Sequence, residues 1–127
     1  MPELISRLSD AGKRLAVASS KRMRFLLQGL TDEGILDQFE EVQGKENDET
    51  FSKSGAIADV LRRMGVGPDD AVMVGDRFYD VESAAEVGVP CVGVLFGKTA
   101  TREELDEAGA CAIARTPAEL EAILLGR

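Results

Sequence analysis

The sequence predicts a three-layer α/β fold, with parallel strands near residues 14–18, 71–74, 91–94 and 111–114. Three observations predict it. A unit recurs in "LISRLSDAGKRLAVAS", "IADVLRRMGVGPDDAVMVGD", "VESAAEVGVPCVGVLFG" and "ELDEAGACAIA", each time running from a helix-like segment through Gly12, Gly65, Gly88 or Gly109 into a short apolar run. Glycine just past a helix takes the left-handed cap conformation cheaply. The runs themselves, "RLAVA", "AVMV", "CVGVL" and "CAIA", are continuous rather than alternating, as expected for strands covered on both faces of a parallel sheet. Polar residues then follow the runs, at the sheet edge where such folds bind ligands.

Taken in order, the first helix-like segment ends at Gly12 and leads into the strand that stops before Ser19. After a second helical region comes the polar segment "QGKENDETFSKS", residues 43 to 54, expected to be a surface loop before a helix starting near Ser54. In that helix Ile57, Val60, Leu61 and Met64 fall on one face. The run "AVMV" then turns at Gly75 into Asp76. Capping boxes mark two later helices, Thr101 with Glu104 and Thr116 with Glu119, the second carrying Pro117 at its first position. The units match one another in little besides glycine and hydrophobicity, so they reflect fold grammar rather than duplication. No internal boundary is visible, and residues 1–127 read as a single domain.

Composition excludes several classes. A net charge of −8 opposes nucleic acid and anionic membranes. A small phosphorylated metabolite feels local rather than average charge and stays open. No apolar stretch is long enough to cross a bilayer and no signal-peptide core opens the chain, so a cytoplasmic location is expected. Cys91 and Cys111 lie in apolar runs without CxxC spacing and are expected to be buried thiols. Histidine is absent, which removes Ser-His-Asp and Cys-His nucleophile systems and leaves Asp, Glu, Lys, Ser and Thr for chemistry.

The residues just past the predicted strands are Ser19 and Ser20, Gly75 and Asp76, and Gly97 and Lys98. Asp80 follows Asp76 by four positions, one turn into the next helix. Hard carboxylate oxygens so placed suit Mg²⁺, which takes a few carboxylates, waters and a substrate phosphate. The competing reading is that the two aspartates merely cap that helix. Helix capping and a solvated face likewise compete with function at Ser20 and Lys21. Arg77, Phe78 and Tyr79 read as a turn with one side chain packed.

The stretch "VMVGDRFYDVESAAEVGVPCVGVLFG" resembles the fourth motif of the haloacid dehalogenase-like hydrolases, GDxxxD after a strand, in the GDRxYD form of the phosphoglycolate phosphatase-like branch. "RLAVASSK" is similar to the second motif, a strand ending in a phosphate-binding hydroxyl, here Ser19 with Ser20 beside it. "FSKSGAIADVL" is similar to the third, a lysine just before a helix, here Lys53, with Lys45 as its competitor in the same segment. The resemblance implies a Rossmann-like core and a Mg²⁺-dependent phosphomonoester hydrolase. It makes Ser19 and Lys53 phosphate ligands and Asp76 a Mg²⁺ ligand. Asp80 would support the metal shell and the lysine.

One departure is an absence. The family's reaction starts from a DxDx[TV] motif whose first aspartate attacks phosphorus and whose second acts as acid and base, and the chain contains no DxD. Its first residues resemble the stretch that follows the cap in relatives, so the nucleophile strand and the cap are expected to be missing together. Three readings follow. The chain is a truncated phosphatase-family member, inactive alone and holding Mg²⁺ weakly; it is one subunit of a split enzyme or a binding module; or it is a receiver-like phosphoacceptor domain, against which the order Ser19, Lys53, Asp76 speaks. The first two imply self-association or a partner that supplies the missing strand. The substrate stays open, because family specificity resides largely in the cap.

Overall fold

The computed structural model describes residues 2–97 and 100–126, and the chain divides into two compact units, Met1–Val66 and Gly67–Arg127. Lys98, expected just past a strand, lies outside the described residues.

In the first unit, α1 (Pro2–Asp10) leads to β1 (Ala16–Arg22), α2 (Met23–Asp32) crosses over to β2 (Glu41–Lys45), and α3 (Lys53–Met64) follows. The two strands are parallel, with Ala16 opposite Glu41, Val17 opposite Val42 and Ala18 opposite Gln43. The register then slips, and Arg22 lies opposite Lys45. The core gathers Leu4, Leu8, Leu26, Ile35, Ala56, Ile57 and Val60. Of the predicted stripe, Ile57 and Val60 are buried and Leu61 and Met64 half-buried.

Two expectations need correcting here. β1 continues to Arg22, so Ser19 and Ser20 lie inside the strand rather than beyond it. Its register break absorbs Ser19, Ser20 and Lys21 opposite Gly44, a β-bulge that bends the strand. β2 takes in Gln43, Gly44 and Lys45, the start of the predicted loop. It was not predicted because "EVQGK" holds one apolar branched residue, Val42.

In the second unit the order is β3 (Met73–Gly75), α4 (Phe78–Glu86), β4 (Cys91–Val94), α5 (Arg102–Ala108), β5 (Ala112–Ala114) and α6 (Pro117–Leu125). The sheet runs β3-β4-β5, all parallel. Every residue of β4 is buried, as a central strand requires. Gly93 in β4 leaves a notch: a Cβ there would stand 2.8 Å from Leu105 Cδ1, and Leu105 is fully buried. Gly12, Gly65, Gly88 and Gly109 have φ of 85°, 67°, 79° and 99°, as the repeat predicted. Cys91 is buried as expected. Cys111 is exposed, because it lies just before β5 rather than in it.

Parallel strands linked by helices make both units α/β, the predicted class. Among the described residues no helix is long and apolar enough to cross a membrane.

Candidate functional site

The candidate residues fall into two groups, Ser19, Ser20 and Lys53 in the first unit and Asp76 and Asp80 in the second.

The carboxylate group is built on a short turn. β3 ends at Gly75, the chain passes through half-buried Asp76, and α4 begins at Phe78 with Arg77 as its N-cap. Asp80, in the first turn of α4, reaches back so that its Oδ2 accepts the Asp76 N–H at 3.1 Å. This return path leaves no room at Gly75. A Cβ there would stand 2.3 Å from Asp80 Cβ and 2.8 Å from Asp80 Oδ2, so glycine is required by space. Gly97, after β4, comes against the other carboxylate, its Cβ position 3.1 Å from Asp76 Oδ2.

The capping alternative for these aspartates does not hold in its simple form. The N-cap is Arg77, which makes no side-chain capping bond, and Asp80 Oδ2 accepts from the N–H of Asp76, which precedes the cap. Asp80 still gains from lying in the first turn, where the helix dipole favours an anion. Arg77, Phe78 and Tyr79 are all exposed, so none is the packed side chain expected of this turn.

The first exposed N–H of α4 is satisfied from another helix. Glu104 Oε2 accepts from Phe78 N at 2.9 Å and from Arg77 Nε at 3.0 Å. The Phe78 N–H, and after it the Arg77 guanidinium, hold the Glu104 carboxyl below its ordinary range. Thr101 Oγ1 accepts from Glu104 N at 3.1 Å, which is the predicted capping box half made. Sequence reasoning assigned Glu104 to its own helix. No signal in the sequence pointed it towards Arg77.

Of the hydroxyl and lysine group, the two serines lie on the bulge of β1 and Lys53 opens α3. Ser19 is half-buried, and its Oγ accepts from Lys21 N at 3.1 Å, closing the bulge. The opposite strand approaches closely: a Cβ on Gly44 would stand 2.7 Å from the Lys21 carbonyl oxygen and 2.9 Å from Met23 Cα. Ser20 is exposed and caps nothing, because the N-cap of α2 is Arg22, without a side-chain bond.

The two candidate lysines differ in place. Lys45 ends β2 and pairs with Asp48 at 3.2 Å. Lys53 opens α3 and is only 8% exposed. Its turn is held by Ser52, whose Oγ accepts from Gly55 N at 3.0 Å. A lysine that far from water is retained where anions or polar groups match it. At the carboxyl ends of β1 and β2, Arg22, Arg24, Lys45, Met23, Leu27 and Glu46 line a cavity of about 640 Å³.

Among the described residues no three His, Cys, Asp or Glu side chains gather as a metal site. Asp76 with Asp80 matches the donor chemistry of Mg²⁺, which uses one or two carboxylates and completes its octahedron with water and phosphate.

A family model described as haloacid dehalogenase-like hydrolase matches residues 1–94. The chain is 39% identical over 95 residues to the tyrosine-protein kinase PtkA of Mycobacterium tuberculosis, covering 74% of this chain and 33% of that protein. It is 34% identical over 114 residues to the phosphoglycolate phosphatase of Rhodospirillum rubrum, covering 87% of this chain and 45% of that protein. The crystal structure of a predicted phosphatase from Clostridium acetobutylicum superposes with a TM-score of 0.93 at 35% identity, over 98% of this chain and 58% of that one. The chain therefore spans under half the length of the curated relatives named here.

Proposed function

Because the chain belongs to the haloacid dehalogenase-like hydrolases, of the phosphoglycolate phosphatase-like branch, we propose that it carries the phosphate- and Mg²⁺-positioning half of a phosphomonoester hydrolase site. In this reading Ser19, with Ser20 beside it, offers hydroxyl and backbone donors to a phosphate. Lys53 neutralises that phosphate, Asp76 is a ligand of Mg²⁺, and Asp80 fixes Asp76 and supports the metal shell. The ion, when bound, supplies charge neutralisation at the phosphate oxygens. The observation that carries the reading is the turn in which Asp80 holds the Asp76 N–H across a glycine that no larger residue can replace.

Three further points support it. Of the two lysines, Lys53 is buried in the first turn of a helix, and Lys45 lies half-buried at the end of a strand. The cation-lined cavity gives an acidic chain a local place for a small phosphorylated metabolite. Relatives named a kinase and a phosphatase match this chain, so handling of a phosphoryl group is what they would share. A cytoplasmic place of action fits these partners.

Without a DxD pair the chain has no attacking carboxylate, and alone it is inactive and binds Mg²⁺ weakly. Its strand edges are completed by another chain, a second copy or a partner. β1 pairs with β2 and β3 with β4, and Val72 and Val74, on the β3 side, are 44% and 36% exposed. Open apolar edges seek partners, since each unpaired buried backbone group costs about 1–3 kcal/mol.

The test uses the purified chain with Mg²⁺ and small phosphate esters. No turnover is expected, and adding the N-terminal half of a relative restores hydrolysis only while Lys53 and Asp76 are intact. Hydrolysis by the chain alone that is lost in Asp76→Asn would refute the inactive half-site. Sedimentation at micromolar concentration checks the edges: a cooperatively folded monomer would sink the claim of self-association.

A further inference from the structure

We propose that Asp48 is a built-in latch on the cation-lined cavity of the first unit, an internal anion that occupies Arg22 and Lys45 until a phosphate group displaces it. The proposal rests on the reading that this cavity takes the small phosphorylated metabolite, and it adds how entry is regulated. Past the register break of β1 the two strand ends come together, so that Arg22 lies opposite Lys45. Both line the cavity, with Arg24 as the third cation and Met23 and Leu27 as its apolar part. Asp48 comes from the turn after β2 and bridges two of the three. Its Oδ2 accepts from Arg22 Nη2 at 2.7 Å, and its Oδ1 stands 3.2 Å from Lys45 Nζ.

The turn is shaped to present that carboxylate. Asn47 Oδ1 accepts from Glu49 N at 2.9 Å, and the Asn47 carbonyl accepts from Phe51 N at 3.1 Å, which fixes the backbone on both sides of Asp48. The Asp48 side chain stays 56% exposed and outside the lining. Arg24 is left over. Its guanidinium lies 4.7 Å from the centroid of the exposed Phe25 ring and pairs with no carboxylate among the described residues. Glu46, the acidic residue of the lining, is engaged by Gln43 Nε2 at 3.2 Å.

A carboxylate already in place raises a threshold rather than closing the site. A ligand meets only the fraction of molecules in which Asp48 has let go, and its apparent affinity falls by that fraction. Exposed ion pairs are weak enough to exchange, and the Arg22 side chain is 53% exposed. A phosphate monoester carries about −1.5 to −2 charges at neutral pH and three acceptor oxygens, so it can replace both bonds of Asp48 and engage Arg24 as well. A single carboxylate exchanges like for like and gains nothing. The latch therefore keeps carboxylates out at concentrations where phosphate enters.

The experiment titrates the wild-type chain, Asp48→Asn, Asp59→Asn and Arg24→Gln with inorganic phosphate at constant ionic strength, reading the amide shifts of Arg24 and Glu46. Asp59 is the charge-matched control, since it pairs with Arg62 inside α3. In Asp48→Asn the phosphate midpoint is expected to fall about two- to fivefold, the range that loss of exposed ion pairs allows, and in Asp59→Asn to stay at the wild-type value. Arg24→Gln is expected to raise it. The Asp48 carboxyl, held below its ordinary range by Arg22 and then by Lys45, should titrate nearer that range in saturating phosphate, because displacement takes it away from both. A midpoint no lower in Asp48→Asn than in Asp59→Asn would overturn the latch, as would an Asp48 titration that phosphate leaves unmoved. Either result sinks the latch alone. If phosphate shifts neither amide in any of the four chains, the cavity is no phosphate site, and the reading beneath the proposal falls together with it.

Discussion

The two units place their candidate residues by different means. In the second unit Asp76 and Asp80 are fixed by exclusion, since the space a side chain at Gly75 would fill is already occupied by Asp80. In the first unit Ser19 is placed by an irregularity, a bulge closed by its own hydroxyl on Lys21 and fitted against Gly44. Exclusion ties a function to one glycine beside it in sequence. A bulge ties it to a glycine on another strand. The carboxylate turn can therefore be read as a short motif, whereas the serine needs both strands.

The largest effect should come from breaking the exclusion. Gly75→Ala puts a Cβ 2.3 Å from Asp80 Cβ, the root of a helical side chain that cannot swing away. It is expected to cost about 3 kcal/mol, the upper end of the range for an overpacked site, and to lengthen the Asp76–Asp80 bond. Gly44→Ala meets backbone at 2.7 and 2.9 Å, which relaxes only by shifting the bulge, and about 1–3 kcal/mol is expected. Denaturant midpoints rank the two. The comparison is sharpened by amide shifts: Gly75→Ala should disturb Asp76 and Asp80, and Gly44→Ala should disturb Ser19 and Lys21. A Gly44→Ala chain with an unchanged Lys21 amide would show that the bulge does not depend on that glycine.

A smaller effect separates the lysine from its support. Ser52 caps α3 through the Gly55 N–H at 3.0 Å and so sets the turn that carries Lys53. Ser52→Ala is expected to cost about 1 kcal/mol, the usual value of a lost N-cap. In a chain complemented by a relative's N-terminal half it should also weaken phosphate-ester binding. Thermal melts and KM in the complemented enzyme check both. A full loss of stability with unaltered KM would remove the cap from the description of the site.

What the sequence disclosed follows the same division. The strand at 91–94 was predicted to the residue because an unbroken apolar run is what a central strand buries. GDxxxD spacing placed Asp76 and Asp80 at a strand tip, since four positions span a single turn. β2 escaped because its pairing with β1 supplies what its composition lacks, and with it went the bulge that keeps Ser19 within a strand. Glu104 escaped for another reason. Its capping signature was correct for its backbone N–H, and only a donor from a distant helix turns its carboxylate away.

The smallest expected effect is on acid response, and it tests whether the units differ in how their carboxylates are held. Glu40 and Asp48 in the first unit, and Glu104 and Glu119 in the second, all titrate below their ordinary values. The main cause for Glu40 and Asp48 is a side-chain cation, Arg14 for Glu40 and Arg22 for Asp48, whereas for Glu3 in the same unit it is a backbone N–H. In the second it is a backbone N–H, of Phe78 for Glu104 and of Arg115 for Glu119. A carboxyl whose folded value is depressed contributes stability that is present above its unfolded value, about pH 4, and is lost as the pH falls through the folded value. All four contributions should therefore persist at neutral pH and fade below the ordinary carboxylate range. Salt discriminates between them, because exposed ion pairs are screened while a hydrogen bond from a fixed N–H keeps its geometry. Carboxyl-carbon NMR titrations at low salt and in about 0.5 M salt, where the Debye length falls to about 4 Å, should show Glu40 and Asp48 returning towards ordinary values. Glu104 and Glu119 should stay depressed. If Glu104 rises with salt as far as Glu40 does, it is held by Arg77 alone, and the backbone bond to Phe78 has no part in setting the carboxylate turn.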